Sequence, residues 1–472
     1  SHVHTMMTGI ERRRVDVTDA KSVAEVVERV GAHIAADDDD GWLLVTAHFN
    51  EADMAEGRRP TRADLDPVTK GRPVLLDQHV HDAIVNTEAL RRAGIDASTP
   101  DPPGGRIEHD ESGEPNGILI ERPAADLVAT LMPPITENDR ELAMKEIQPI
   151  FHGYGITSTV EPGVTREELG TYQELSARGD LSLRTFAMPL FDTLIPYTEA
   201  LDRIGGLGVH TRFGDERLRI GGVKAFLDGT GTFGTALLRE PWPGGDGSTG
   251  VQVTSTEAFG AIVRFCAERH WSLGVHIVGG GALDLALDTF AEVNADFPIA
   301  DLRFSLIHAY LWPSPENMAK ARELGVLVAI QPGLMWRVAS GLQKYFDLDR
   351  IADANPIRSW LDAGLTVAGG SDGPDFPIPP LFGMWHARTR LVRGLDEPVG
   401  PDQAVTAEEA LAMYTTGSAR YCFADRERGM LRPGMLADWS AFEVDPAGED
   451  VEALRDAVAQ QTGVGGIVVH EC

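Results

Sequence analysis

Residues 365–381 read LTVAGGSDGPDFPIPPL. Leu365 to Ala368 is a short, mostly apolar run that ends in two glycines, followed by a serine, an acid and a Gly-Pro turn. A buried parallel strand reads this way, with Asp372 delivered at its carboxyl end, where barrels and open α/β sheets carry their chemistry. Taken alone, Ser-Asp-Gly is more often an ordinary turn in which Asp372 caps the next residues. The rest of the chain changes that balance, because other strand-like runs also end in a His, a Lys or a pair of His.

The runs recur with a regular spacing from residue 156 onward. ITSTVEPG is a strand and REELGTYQELSARG the helix after it. LSLRTFAMPLFD is a strand, followed by a helix around 196–205. RIGGVKAFLDGTG carries Lys224 and runs into a Gly/Pro-rich loop over 231–250. A helix over 255–270 precedes WSLGVHIVGG with His276, and one over 284–293 precedes LRFSLIHAYL with His308. Helices over 315–324 and 357–363 lead to LVAIQPG and to LTVAGGSD. With SHVH at residues 1–4 as the stub of a first strand, the count is eight strands separated by helices. Alternating β and α units with apolar strands predict a parallel sheet, and eight of them predict a closed (β/α)8 barrel of the TIM type.

Composition bounds the function. The 472 residues suffice for one large domain and a small one, and 43% hydrophobic with 24% charged residues is ordinary for a soluble enzyme. The formal net charge of -30 disfavours nucleic acid and anionic membrane as partners and suits a protein of a salty cytoplasm. Cys266, Cys422 and Cys472 form no CxxC pair and no even framework. They predict a reducing, cytoplasmic compartment, in which any zinc is held by nitrogen and oxygen rather than thiolate. No apolar run approaches the roughly 18 residues of a membrane span, and no signal peptide is visible. The chain opens abruptly on SHVH, so an upstream segment is expected in a natural chain.

Residues 5 to about 150 break the rhythm. A helix over 19–33, a strand at GWLLVTAH, a turn with a helix start at RRPTRADLDPV and a strand-into-helix stretch at RPVLLDQHVHDAIVNTEAL are expected. STPDPPGGRIEHDESGEPNG reads as a surface loop, and ENDRELAMKEIQPIFHGYG as a helix. The domain reading is a barrel over 1–426 interrupted by an insertion at about 40–140 between strands one and two, with 427–472 as a small C-terminal β unit. The insertion is placed to roof the site, where His79 and His81 either line the roof or are merely solvated.

His2 and His4, at i and i+2, share one face of a strand, which suits a first-row metal, although an HxH near a terminus is more often an accident. On the strand count, His2 and His4 fall on strand one, Lys224 on four, His276 on five, His308 on six and Asp372 on eight. Each has a dull alternative as a satisfied core histidine or a lysine whose tip reaches solvent. Six at the same end of the right strands predict one site for metal-assisted chemistry.

The set HxH, VKxFxDG, VH followed by G, RxxxxHA and GSDxP resembles the amidohydrolase superfamily, and more narrowly amidohydrolase family 3, the branch of N-substituted formamide deformylase. RPTRADLDPV, HDAIVNTEAL, GGVKAFLDGT, IQPGL, NPIRSWLDAGLTVAGGSDGP, TAEEALAMYTTGSARYCF and GMLRPGMLADWSAFEVDP carry it over essentially the whole chain. The resemblance implies a centre of one or two divalent ions, zinc first, binuclear when both are bound. His2, His4 and Asp372 would hold one ion and His276 and His308 the other, with Lys224, carboxylated on its Nζ, as the bridge. It also implies hydrolysis of a C–N bond in an amide, an N-substituted formamide or a cyclic amide by a metal-activated hydroxide, with Asp372 as catalytic proton shuttle. His81, Phe233, Trp336 and Asp375 are the candidate substrate contacts. The expected partner is a small-molecule substrate, with room left for a homodimer.

Three departures qualify the match. The family's HAIGD is His276-Ile277-Val278-Gly279-Gly280 here, and its RIEH is SLIH, so two neighbouring acids are missing. Relatives also carry a stretch before HxH that completes the first strand and a composite β-sandwich. Without it the sandwich is incomplete and the strands of 427–472 would lack partners. The alternative to an enzyme is a catalytically silent binding or scaffold protein on the same fold. Retention of all six ligand-type residues argues for the enzyme.

Overall fold

The computed structural model describes residues 2–37, 39–49, 51, 54–78, 82–102, 105–244 and 247–472. The chain divides into two compact units, Met7–Ala143 and a larger one made of the residues up to Met6 with Met144–Cys472. No helix among the described residues is long and apolar enough to cross a membrane.

The smaller unit is a six-stranded sheet in the order β1 (Val15–Asp16), β2 (Leu43–Thr46), β3 (Val74–Gln78), β4 (Asp82–Val85), β6 (Pro115–Ile120) and β5 (Arg106–His109). β1 to β3 run parallel, and the other pairs are antiparallel. Helix Val23–Ala36 starts where the Ser22 side chain accepts from the Glu25 N–H, and its Val26, Val30 and Ile34 bury against Val45, Val74 and Leu76. Two expectations are corrected here. RPVLLDQHVHDAIV holds two antiparallel strands, β3 and β4, rather than one. The expected loop over STPDPPGGRIEHDESGEPNG contains β5 and the start of β6, with Ile107 paired to Leu119 and both buried. The turn between them needs Gly113 at φ 84, and the single apolar residue of β5, Ile107, was too weak a pattern to outweigh that punctuation. His79 and His81 lie outside the described residues.

The larger unit holds the regular rhythm. β7 (Ser158–Val164), β8 (Arg184–Pro189) and β9 (Leu218–Ile220) form one parallel sheet. β10 (Val223–Phe226), β11 (Leu273–Gly279), β12 (Ser305–Leu311), β13 (Leu327–Ile330) and β14 (Val367–Gly369) form a second. The expected single strand RIGGVKAF is therefore two, parted at Gly221-Gly222, where a Cβ on Gly221 would meet Met188 at 2.8 Å. Parallel bridges join His2 to Val160 and Leu190 to Lys224, and the His2 carbonyl accepts from the N–H groups of Ser371 and Asp372, both at 3.0 Å. SHVH is thus only a one-residue bridge before helix Thr5–Glu11.

At the C-terminus, β15 (Trp439–Phe442), β16 (Ala459–Val464) and β17 (Ile467–Glu471) make an antiparallel sheet. The strands expected to be unpartnered pair with one another, because AQQTGV, too polar to read as a strand, supplies the middle one. Arg184 on β8 anchors this sheet through paired bonds to Asp438 at 2.7 and 2.9 Å, with both side chains buried.

Candidate metal centre

The parallel registers decide which side chains meet. Phe226 lies opposite His276 and Ile277 opposite His308, so β10, β11 and β12 present Lys224 and the two histidines on neighbouring strands. Asp372 follows β14 by three residues, and the bridge from His2 to Val160 brings HxH in from the other side. His308 and Asp372 sit at φ 77 and φ 60, a region that non-glycine residues seldom adopt and that concentrates at functional sites.

The donors converge on Asp372. Nε2 of His2 is 3.1 Å and Nε2 of His4 3.4 Å from Oδ1, and Nδ1 of His308 is 3.9 Å from Oδ2. One ligand atom from each of His2, His4 and Asp372 can be chosen so that all lie within 4.8 Å of one another. The rings of His276 and His308 meet edge-on at 4.6 Å. His2 is fully buried, yet neither ring nitrogen has an aligned hydrogen bond, although Asp372 is within reach. Burying an unsatisfied ring nitrogen is costly, and a cation accepting its lone pair removes that cost. The donor set therefore fits a divalent transition metal with nitrogen and oxygen ligands.

Burial governs the protonation of the cluster. It drives the His2 imidazole well below its ordinary range and takes His308 down to about 4, so both are neutral ligands at neutral pH. Burial alone would raise Asp372, but the surrounding His308, His2 and His4 outweigh it and hold the carboxyl well below the usual range. Burial also brings Lys224 down to about 7, against the pull of Asp372. Lys224 is 1% exposed, and its Nζ lies 4.6 Å from the centre of the Phe226 ring, with no carboxylate in ion-pair range among the described residues. A lysine in that state offers a neutral amine.

Sequence reasoning misses three polar residues that hold this framework. Glu161, midway along β7, accepts from the N–H groups of Thr5 at 2.8 Å and Met6 at 3.4 Å, directly after HxH. Asp228 accepts from Leu237, Val278 and Gly279, tying the loop after β10 to the end of the His276 strand. Gln331 Oε1 lies 2.7 Å from Nδ1 of His308. The available signal was a polar side chain within or just after an apolar strand-like run.

The candidate substrate contacts fare differently. His81 lies outside the described residues. Phe233 is half-buried in the turn after β10. Trp336 packs edge-on against Phe382 at 5.9 Å and Trp385 at 5.4 Å, with the Arg455 guanidinium 5.2 Å from its ring. The Asp375 carbonyl accepts from Arg337 at 2.8 Å.

A sequence profile described as the amidohydrolase family matches residues 1–470. Over 463 residues the chain is 28% identical to N-substituted formamide deformylase of Arthrobacter pascens, covering 95% of this chain and 82% of that protein. Two solved structures share the fold. An uncharacterized metal-dependent hydrolase from Pyrococcus horikoshii superposes with a TM-score of 0.75 at 24% identity, over 96% of this chain and 86% of the other. A counterpart from Pyrococcus furiosus gives 0.71 at 26%, over 95% and 86%.

Proposed function

The chain belongs to the amidohydrolase family, and on that premise we propose that it is a metal-dependent hydrolase that cleaves a C–N bond in an amide, an N-substituted formamide or a cyclic amide. The convergence of His2, His4 and Asp372, with both ring nitrogens of the fully buried His2 lacking an aligned hydrogen bond, is the observation that carries the reading. His276, His308 and Lys224 extend the donor set to a second ion. A divalent ion in this cluster would supply Lewis acidity to the scissile carbonyl and acidify a water.

The chain's own groups do the rest. Asp372, ionised between three imidazoles, accepts the proton of the attacking water and passes it to the leaving nitrogen, so amide and water become acid and amine. Lys224, half neutral near pH 7, can add its lone pair to CO2 with loss of one proton, giving a carbamate whose two oxygens could bridge two ions. Phe233, Trp336 and Asp375 are proposed to face the substrate. The parallel bridges at Val160 and Lys224 and the bonds from Ser371 and Asp372 to His2 support a closed (β/α)8 arrangement. Cys266 and Cys422, buried and free, are consistent with a reducing cytoplasm.

Elemental mass spectrometry on protein purified without chelator tests the reading, followed by turnover of a panel of N-formyl and N-acyl amines. About two zinc or similar ions per chain and release of free amine are expected. A folded, metal-free protein that hydrolyses none of the panel, even after incubation with zinc and bicarbonate, would overturn it.

A further inference from the structure

We propose that Gln331 is a positioning residue that fixes the tautomer of His308, placing the ring proton on Nδ1 and leaving Nε2 as the bare nitrogen offered to a metal. Gln331 is 1% exposed and closes β13, next to the strand that carries His308. Its Oε1 lies 2.7 Å from His308 Nδ1, and its Nε2 donates to the Ala329 carbonyl at 3.2 Å. The second bond sets the direction of the first. A flipped amide would turn its carbonyl oxygen onto the Ala329 carbonyl, two acceptors face to face, so the Ala329 oxygen holds the NH2 group on its own side. Oε1 then faces the imidazole and can only accept, so Nδ1 must carry the hydrogen.

The neighbouring ring receives the opposite instruction. His276 Nε2 lies 3.3 Å from the Gly229 carbonyl, which also can only accept, so there the bare nitrogen is Nδ1. The two histidines, 4.6 Å apart, are thus committed to different nitrogens by a side-chain amide and a backbone carbonyl. A side-chain amide can be removed by mutation, whereas the carbonyl cannot.

The consequence for metal affinity rests on the hydrolase reading; the tautomer does not. The test begins with 15N-histidine spectra of the full-length metal-free protein, with the His308 signals assigned by their loss in His308→Asn. The Nδ1–H pattern is expected in the wild type and in Gln331→Glu, which keeps an acceptor, and a shift toward Nε2–H or a mixture in Gln331→Leu. Competition with a chelator should show one ion held about 10- to 100-fold more weakly in Gln331→Leu, the usual effect of losing such a partner. An Nε2–H pattern in the wild type overturns the proposal, as does an unchanged pattern in a folded Gln331→Leu. If Gln331→Leu does not fold, the wild-type and Gln331→Glu patterns decide. An Nδ1–H pattern in a protein that takes up no metal supports the proposal and removes the hydrolase reading instead.

Discussion

Among single residues, Asp372 and Lys224 are where the proposed chemistry can be tested apart from the scaffold. Asp372→Asn keeps an oxygen donor beside His2 and His4 but cannot accept a proton, so it should retain most of its metal while kcat falls by about 10²- to 10⁴-fold. Near wild-type turnover in that variant would remove Asp372 as the shuttle. Lys224→Met fills the same buried volume without an amine. Its metal content should drop to about one ion or fewer per chain, and added bicarbonate should not restore it. The six proposed ligands drew notice in the sequence because each is a His, Lys or Asp within or just after an apolar strand-like run or in HxH, and only burial on a packed sheet gives those positions chemical meaning. Gln331, Glu161 and Asp228 were not legible, because a polar residue after an apolar run does not reveal whether it reaches a ligand or only a neighbouring N–H.

Among elements, the three-stranded C-terminal sheet depends on one buried ion pair to hold it to β8. Arg184 is 2% exposed and Asp438 7%, and the Gly465 N–H adds a bond to Asp438 at 2.8 Å. Removing one partner leaves the other charge buried, so Asp438→Ala should cost about 3–5 kcal/mol, read as a lower denaturant midpoint. Burial alone would raise the Asp438 pKa, but Arg184 and the Gly465 N–H outweigh it and hold the carboxyl below its ordinary range. The folded pKa is depressed, so this stabilisation is fully present above the unfolded value near 3.9 and is lost as pH falls through the folded one. Urea midpoints of the wild type should therefore drop more steeply below about pH 4 than those of Asp438→Asn, and equal slopes would refute the assignment. The elements themselves were mostly legible where apolar runs were dense, from β7 to β14. They were hidden where pairing rests on backbone bonds between polar strands, as in AQQTGV, or where a strand carries one buried apolar residue, as β5 does with Ile107.

For the whole molecule, the excess of negative charge governs how stability responds to salt. With 72 acids against 42 bases, many carboxylates have no cation to pair with. Exposed pairs such as Arg29–Asp19 and Arg91–Glu88 contribute little to stability and weaken further in salt. The unpaired excess repels itself over distances that salt also controls, since the Debye length shrinks from about 30 Å at 0.01 M to about 3 Å at 1 M. The two effects have opposite signs, and their sizes decide the outcome. Repulsion from a net -30 acts among all the acids at once, whereas each pair acts alone, so screening should remove more destabilisation than stabilisation. The thermal midpoint should rise by about 3 °C or more between 0.01 and 0.5 M salt. NaCl and KCl should act alike, because screening depends on ionic strength and not on a bound cation. A midpoint that falls with salt would mean that the ion pairs, and not the excess acids, set the stability of this chain.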